Sequence, residues 1–241
     1  MEILAAGAEK LGIRMTAKQR AYFELYYGKL GKWNQRVNLT AITSYDDVQI
    51  KHFLDSLTLI LAFKYLKSNP PERVIDIGTG PGMPGIPLKI VFPSIKLTLV
   101  ESITKKTAFL QYMIDQFEFK DIEVVTARAE DTGHNGKYRE QFDLVLGRAV
   151  AALPTLLELT LPFCKVGGLF VAQKQARAKP EIDQATKAIR TLGGRLREVI
   201  NIDLPEFTDK RCLIAFDKIT TTPNEYPRRP GIPAKNPIVY R

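Results

Sequence analysis

A chain of 241 residues, 45% hydrophobic and 25% charged, can bury one large core without staples and is too apolar to stay disordered. Two cysteines, Cys164 and Cys212, exclude a disulfide framework and a four-cysteine zinc site; with only His52 and His134 besides, no metal centre is expected. Thirty-five Lys and Arg against 26 Asp and Glu leave a net charge of +9, which favours a polyanionic partner.

The first residues lack a basic start followed by an apolar stretch, and the longest apolar run, Leu57 to Phe63, is too short to cross a bilayer. The chain therefore reads as a reduced, cytoplasmic protein without a membrane partner. Residues 1–66 form an N-terminal helical extension. Thr16 precedes a run in which Tyr22, Phe23, Leu25, Tyr26 and Leu30 recur at helical spacing. Asp46 and Asp47 open a second helical run over about 46–66, whose apolar face carries Val48, Ile50, Phe53, Leu54, Leu57, Leu61 and Phe63. A polar connector, Trp33-Asn34 through Asn38-Leu39-Thr40, separates the two, and Pro70-Pro71 ends the second.

Residues 67–217 alternate apolar runs with helical ones. Strands are expected at 74–77, 97–100, 122–126, 142–146 and 169–172, and helices at 85–92, 103–117, 128–133 and 153–163. The stretches 196–202 and 212–216 read as a closing pair, and Cys164, late in a helical run, as core. Unbroken apolar strands alternating with helices predict an α/β fold, a mostly parallel sheet covered on both faces. In such sheets ligands bind beyond the carboxyl ends of the strands. Residues 218–241 are a basic, proline-rich tail with five of the fifteen prolines, interleaved with Lys218, Arg228, Arg229, Lys235 and Arg241. It is either a disordered tail or an extended arm for a polyanion, in which case Arg228, Arg229 and Lys235 are candidate RNA contacts.

The most informative segment is Asp76-Ile77-Gly78-Thr79-Gly80-Pro81-Gly82-Met83-Pro84-Gly85, which follows a strand and opens a helix. Gly80, Gly82 and Gly85 satisfy the dinucleotide spacing G-x-G-x-x-G, but the match starts two residues after the turn. Pro81 and Pro84 also lack the N–H groups that cradle a pyrophosphate, and Asp76 sets a carboxylate where phosphate would lie. An NAD-dependent dehydrogenase is the weaker reading for those reasons. A cationic nucleoside such as S-adenosylmethionine fits better. Gly78 and Gly80 would let the backbone approach it, Asp76 would face its ammonium, and Glu101, after the second strand, would accept from both ribose hydroxyls. Glu130 and Asp131, after the third strand, are candidates for the adenine end. All three acids are otherwise caps of the helices that follow.

Gly147-Arg148-Ala149-Val150 follows the fourth strand, where the reacting atom is expected. The Asn/Asp-Pro-Pro-aromatic signature of amino-group methyltransferases is missing, and no Pro-Cys nucleophile is present. An acceptor with a free lone pair, such as a ring nitrogen, needs neither, and positioning would carry the catalysis. Arg148 would hold the methionine carboxylate or an RNA phosphate, or else pair with a carboxylate as a structural residue. His52 and Asp55, three residues apart, share a helix face and are the other positioning candidates.

Asn38-Leu39-Thr40, the block from His52 to Leu57, Asp76 through Pro87, Ala129-Glu130, Arg148-Ala149 and the segment from Tyr226 to Pro233 together resemble the ribosomal RNA small subunit methyltransferase G family, also called glucose-inhibited division protein B. The resemblance covers nearly the whole chain. It implies a class I, Rossmann-like S-adenosylmethionine-dependent methyltransferase with N-terminal helices, acting on N7 of one guanine in 16S ribosomal RNA. It implies cofactor contacts at Gly78, Met83, Ala129, Glu130 and Arg148, beside Gly80 and Glu101 from the reading above. Pro81-Gly82-Met83 replaces the Ala-Gly-Phe of many members. The ribosomal RNA or small subunit is the expected partner, and a monomer the expected state. A non-catalytic RNA-binding protein on the same fold is the alternative from another class.

Overall fold

The computed structural model describes residues 1–175 and 178–240, so Arg241 of the tail lies outside the described residues. Among the described residues seven strands form one sheet: β1 (Arg73–Ile77), β2 (Lys96–Glu101), β3 (Ile122–Thr126), β4 (Phe142–Arg148), β5 (Cys164–Gln175), β6 (Gly194–Ile202) and β7 (Arg211–Lys218). Their order is β3-β2-β1-β4-β5-β7-β6. The pairs among β1 to β5 are parallel, whereas β7 runs antiparallel to both β5 and β6. The strand order reverses between β1 and β4, the place where such sheets open a crevice at their carboxyl edge. Because β7 is reversed, its first residue, Arg211, reaches that same edge.

Two apolar layers cover the sheet. Val74, Leu97, Leu99, Leu144 and Leu146 face one layer, and Ile75, Ile77, Val100 and Val145 face the other, the period-two alternation of strands buried on both sides. The first layer is completed by the N-terminal helices together with α5 (Gly85–Val91) and α6 (Thr104–Phe117). The second is completed by α8 (Leu153–Thr160), α9 (Ala178–Thr191) and Ile238 of the C-terminal arm. Cys164 begins β5 rather than ending a helix, and is fully buried as expected of core. Burial pushes its thiol up to about 12.

The extension contains α1 (Glu2–Lys10), ahead of the two runs picked out by their apolar spacing, and α2 (Ala17–Asn34). A capping box of Thr16 and Gln19 starts α2. Its single-tryptophan end packs on α6: the Trp33 ring lies 5.5 Å from Phe109 and 5.4 Å from Tyr112. The second run is continuous but irregular. A short α3 (Tyr45–Val48) passes into a π-helical stretch, Gln49–Leu54, then α4 (Asp55–Leu57) and a 3₁₀ stretch, Thr58–Tyr65. Such π-turns disturb the i→i+4 ladder and are frequent at functional sites.

Candidate active site

The glycine loop between β1 and α5 is set from within. Gly78 and Thr79 donate their N–H groups to the Val100 carbonyl, Gly82 and Met83 to the Thr79 carbonyl, and Gly80 to Glu101 Oε2 at 3.1 Å. Gly85 N–H and Thr79 Oγ1 both donate to Asp76 Oδ2, at 2.9 and 2.6 Å. Pro81 and Pro84 have no N–H, so no backbone donor from Gly78 to Gly85 is left for a pyrophosphate. Gly78 and Gly80 adopt φ of +66° and +60°, a region that side chains rarely occupy. A Cβ built on Gly80 would meet nothing within 4 Å, so the space beside it is open to a ligand. From below, the buried Tyr26 hydroxyl of α2 donates to the Pro81 carbonyl. This ties the extension to the loop.

Asp76 is fully buried; its Oδ2 takes both loop donors, while its Oδ1 has no hydrogen-bond partner among the described residues. Burial raises its carboxyl from 3.8 to about 6, against the lowering effect of its two donors and of Arg148. A native pKa raised above the unfolded one gives stability present below the unfolded value and lost as pH climbs through the native value. Asp76→Asn should therefore gain stability over the native chain as pH rises from about 4 to about 6, by up to about 3 kcal/mol at neutral pH. Urea unfolding of both proteins at pH 4.5 and 7.5 measures it; a pH-independent difference would place the shift elsewhere.

Two cavities meet at Gly78, which lines both. The smaller, about 390 Å³, is bounded by Glu101, Ala129 and Glu130 at the carboxyl ends of β2 and β3 and by Pro230 and Gly231 of the C-terminal arm. Glu101 is buried, and each of its oxygens accepts one backbone N–H, Gly80 on Oε2 and Ile103 on Oε1 at 2.9 Å. A carboxylate oxygen can accept twice, so two sites remain for ribose hydroxyls. Glu130, in the first turn of the short α7 (Ala129–Thr132), accepts from Gly231 N–H at 3.1 Å, while Asp131 is exposed and lines neither cavity.

The larger cavity, about 690 Å³, is lined by Gly80 and Met83 from the loop, by Thr40, His52 and Asp55 from the extension, and by Arg148 and Arg211 from the sheet edge. The connector is pinned by Asn34, whose side chain accepts from Leu39 and Thr40 N–H and donates to the Thr40 carbonyl. That puts Thr40 Oγ1 2.7 Å from His52 Nε2. Arg148 Nη1 donates to Asp55 Oδ2 at 3.0 Å and to the Lys51 carbonyl at 3.2 Å, and its Nη2 faces His52 Nδ1 at 3.4 Å. Arginine can only donate, so His52 Nδ1 accepts and Nε2 carries the proton toward Thr40. Burial, with the Arg148 charge beside it, holds the His52 imidazole down to about 3, hence neutral.

Asp55 is bridged from the other side by Arg211, Nη1 to Oδ1 at 2.7 Å. The three positioning candidates thus form one network, with Arg211 as a member that sequence reading missed. Its signal was an arginine opening an apolar run whose antiparallel direction brings it to the site. Lys174, likewise unforeseen, donates to the Ala151 carbonyl and to Glu181. Arg228, half-buried, grips buried Glu158 and the Asn236 carbonyl with its guanidinium. Arg229 and Lys235 are exposed. Among the described residues no group of three potential metal ligands occurs, and no helix is long and apolar enough to cross a membrane.

The strand order, the glycine loop with no free donor and the acids after β2 and β3 define an S-adenosylmethionine-dependent methyltransferase of class I. Solved structures with this fold include MtNAS in complex with MTA and tNA, with a TM-score of 0.53 at 15% identity over 84% of this chain and 75% of that one. StiE O-MT matches at 0.52 and 15% over 68% and 74%. The model of rRNA small subunit methyltransferase G, GidB, matches residues 19–207. Ribosomal RNA small subunit methyltransferase G of Dehalococcoides mccartyi strain CBDB1 is 47% identical over 99% of this chain and 100% of its own. The proteins of that description from Pelotomaculum thermopropionicum and Brevibacillus brevis are 46% and 44% identical, over 98% and 99% of this chain and 98% and 97% of theirs. The chain belongs to the rRNA small subunit methyltransferase G family.

Proposed function

We propose that this chain transfers a methyl group from S-adenosylmethionine to N7 of one guanine in 16S ribosomal RNA, as a cytoplasmic monomer. The observation that carries the choice of atom is the state of the larger cavity. His52 is neutral with Nδ1 turned to Arg148 and Nε2 to Thr40; Asp55 is held between two arginines; Glu181 is held by Lys174. No free base faces the acceptor among the described lining residues, and guanine N7 has no proton to remove. Lys51, Lys106, Arg148, Lys174 and Arg211 make the rim cationic, as an RNA backbone requires.

When bound, the cofactor supplies an electrophilic methyl group on a sulfonium. Glu101 would hold its ribose, Ala129 and Glu130 its adenine end, and Gly78, Gly80, Met83 and Arg148 its methionine end. The Arg148–Asp55–Arg211 network would fix the wall against which the guanosine stacks. Arg229 and Lys235 would add contacts to the RNA.

Glu101→Ala should weaken S-adenosylmethionine binding about ten- to a hundredfold in calorimetry, the effect of one lost charged hydrogen-bond acceptor. An unaltered dissociation constant would make Glu101 a loop cap only. The function itself is tested on ribosomal RNA from a strain lacking this gene. Transfer of label to guanine N7 of the small-subunit RNA is expected, and label on another atom, or none, would sink the reading.

A further inference from the structure

The C-terminal arm lies beyond the residues the family model matches, yet Pro230, Gly231, Pro233 and Ala234 wall the smaller cavity. It is attached along its length. Arg139 donates to the carbonyls of Thr222, Pro223 and Tyr226, His134 Nε2 lies 2.6 Å from the Pro227 oxygen, and Thr155 Oγ1 donates to the Pro233 carbonyl at 3.0 Å. The central attachment is Glu158 of α8, which is 0% exposed. It accepts from Arg228 N–H at 2.8 Å, from Nε at 2.9 Å and from Nη2 at 2.7 Å. A carboxylate taken out of water is costly unless paired and hydrogen-bonded. Every described partner of this one comes from the arm, so lifting the arm would strand the charge.

Three residues past the clasp, Gly231 turns the chain at φ +83° and sets its N–H on Glu130 Oε1. Glu130 stands between the arm and the cavity, with Oε2 left to a ligand donor such as an adenine amino group. We infer that residues 226–236 are a latch over the adenosine end of the cofactor, and that Glu158 is the positioning residue that holds it shut through Arg228. The inference rests on the smaller cavity being the cofactor pocket. The basic arm then controls cofactor affinity and release, with Arg228 as its fastening.

The test uses the full chain with three substitutions. Glu158→Gln removes the buried charge that needs Arg228 without leaving a lone carboxylate. Gly231→Pro removes the N–H on Glu130 and forbids the positive φ, leaving the clasp intact. Glu101→Ala is the control for the pocket. S-adenosylmethionine affinity is measured by calorimetry, its release by stopped flow, and KM separately for cofactor and RNA. Both arm substitutions should raise the cofactor Kd about tenfold, mainly through faster release. An unchanged cofactor Kd in Gly231→Pro beside a weakened Glu101→Ala overturns the latch alone. A lower thermal midpoint with unaltered affinity in Glu158→Gln makes the clasp purely structural, which also overturns it. Unchanged affinity in all three would remove the pocket assignment, and the latch with it.

Discussion

Gly80→Val should abolish measurable S-adenosylmethionine binding in a protein that still folds. Gly80 sits at φ +60°, and beyond its chain neighbours no protein atom lies within 4 Å of the Cβ position. The valine side chain would therefore start out into the cavity that Gly80 lines. A left-handed backbone conformation costs an L-residue about 1–2 kcal/mol, a fraction of the roughly 5–15 kcal/mol that holds a domain together. Gly85→Ala makes the contrast. There a Cβ would come within 2.7 Å of Leu99 and 3.1 Å of Asp76, so that change should lower the thermal midpoint. Calorimetry and thermal unfolding on both variants separate the two glycines. Binding by Gly80→Val equal to the parent would show that the ligand does not pass along this loop.

Arg148→Lys should cost roughly a hundredfold in single-turnover methylation while the thermal midpoint hardly moves. The guanidinium serves three acceptors at once, Asp55 Oδ2, the Lys51 carbonyl and His52 Nδ1, and an ammonium has neither the plane nor the reach to keep all three. The stability argument turns on Asp55. Removing Arg148 would strand a buried carboxylate if it had no other partner, but Arg211 stays on Oδ1 at 2.7 Å. The wall of the cavity shifts without a buried charge being left alone. A lowered midpoint with normal turnover would make the network a clasp between the extension and the sheet, with no part in positioning the acceptor.

The five parallel strands and the closing pair were legible because each is an apolar run of strand length bounded by turn residues. The glycine loop was legible because two prolines and an aspartate are the wrong chemistry for phosphate. The helix Ala178–Thr191 was not foreseen. Its buried positions include Ala185 and Ala188, too small to mark an apolar stripe, and Pro180 near its start reads as a breaker although a proline is tolerated in a first turn. Partner choice was the other blind spot. Arg148 was visible as an anomaly, but only the folded chain brings Asp55, 93 residues away, against it. Arg228 looked like its basic neighbours, since nothing local distinguishes an arginine facing solvent from one gripping a glutamate 70 residues earlier.

Trp33 is the chain's one tryptophan, and it packs between the extension and α6. Its emission is therefore an intrinsic gauge of whether the extension is seated, whereas far-ultraviolet ellipticity reports helices of the extension and of the sheet domain together. Because α2 also fastens the Pro81 carbonyl through Tyr26, a spectral shift at Trp33 that precedes the loss of ellipticity on heating would mark an unseated species with a loosened glycine loop. Coincident melting curves would mark extension and sheet as one cooperative unit. Cofactor added before heating should delay the fluorescence transition, by mass action on the seated form.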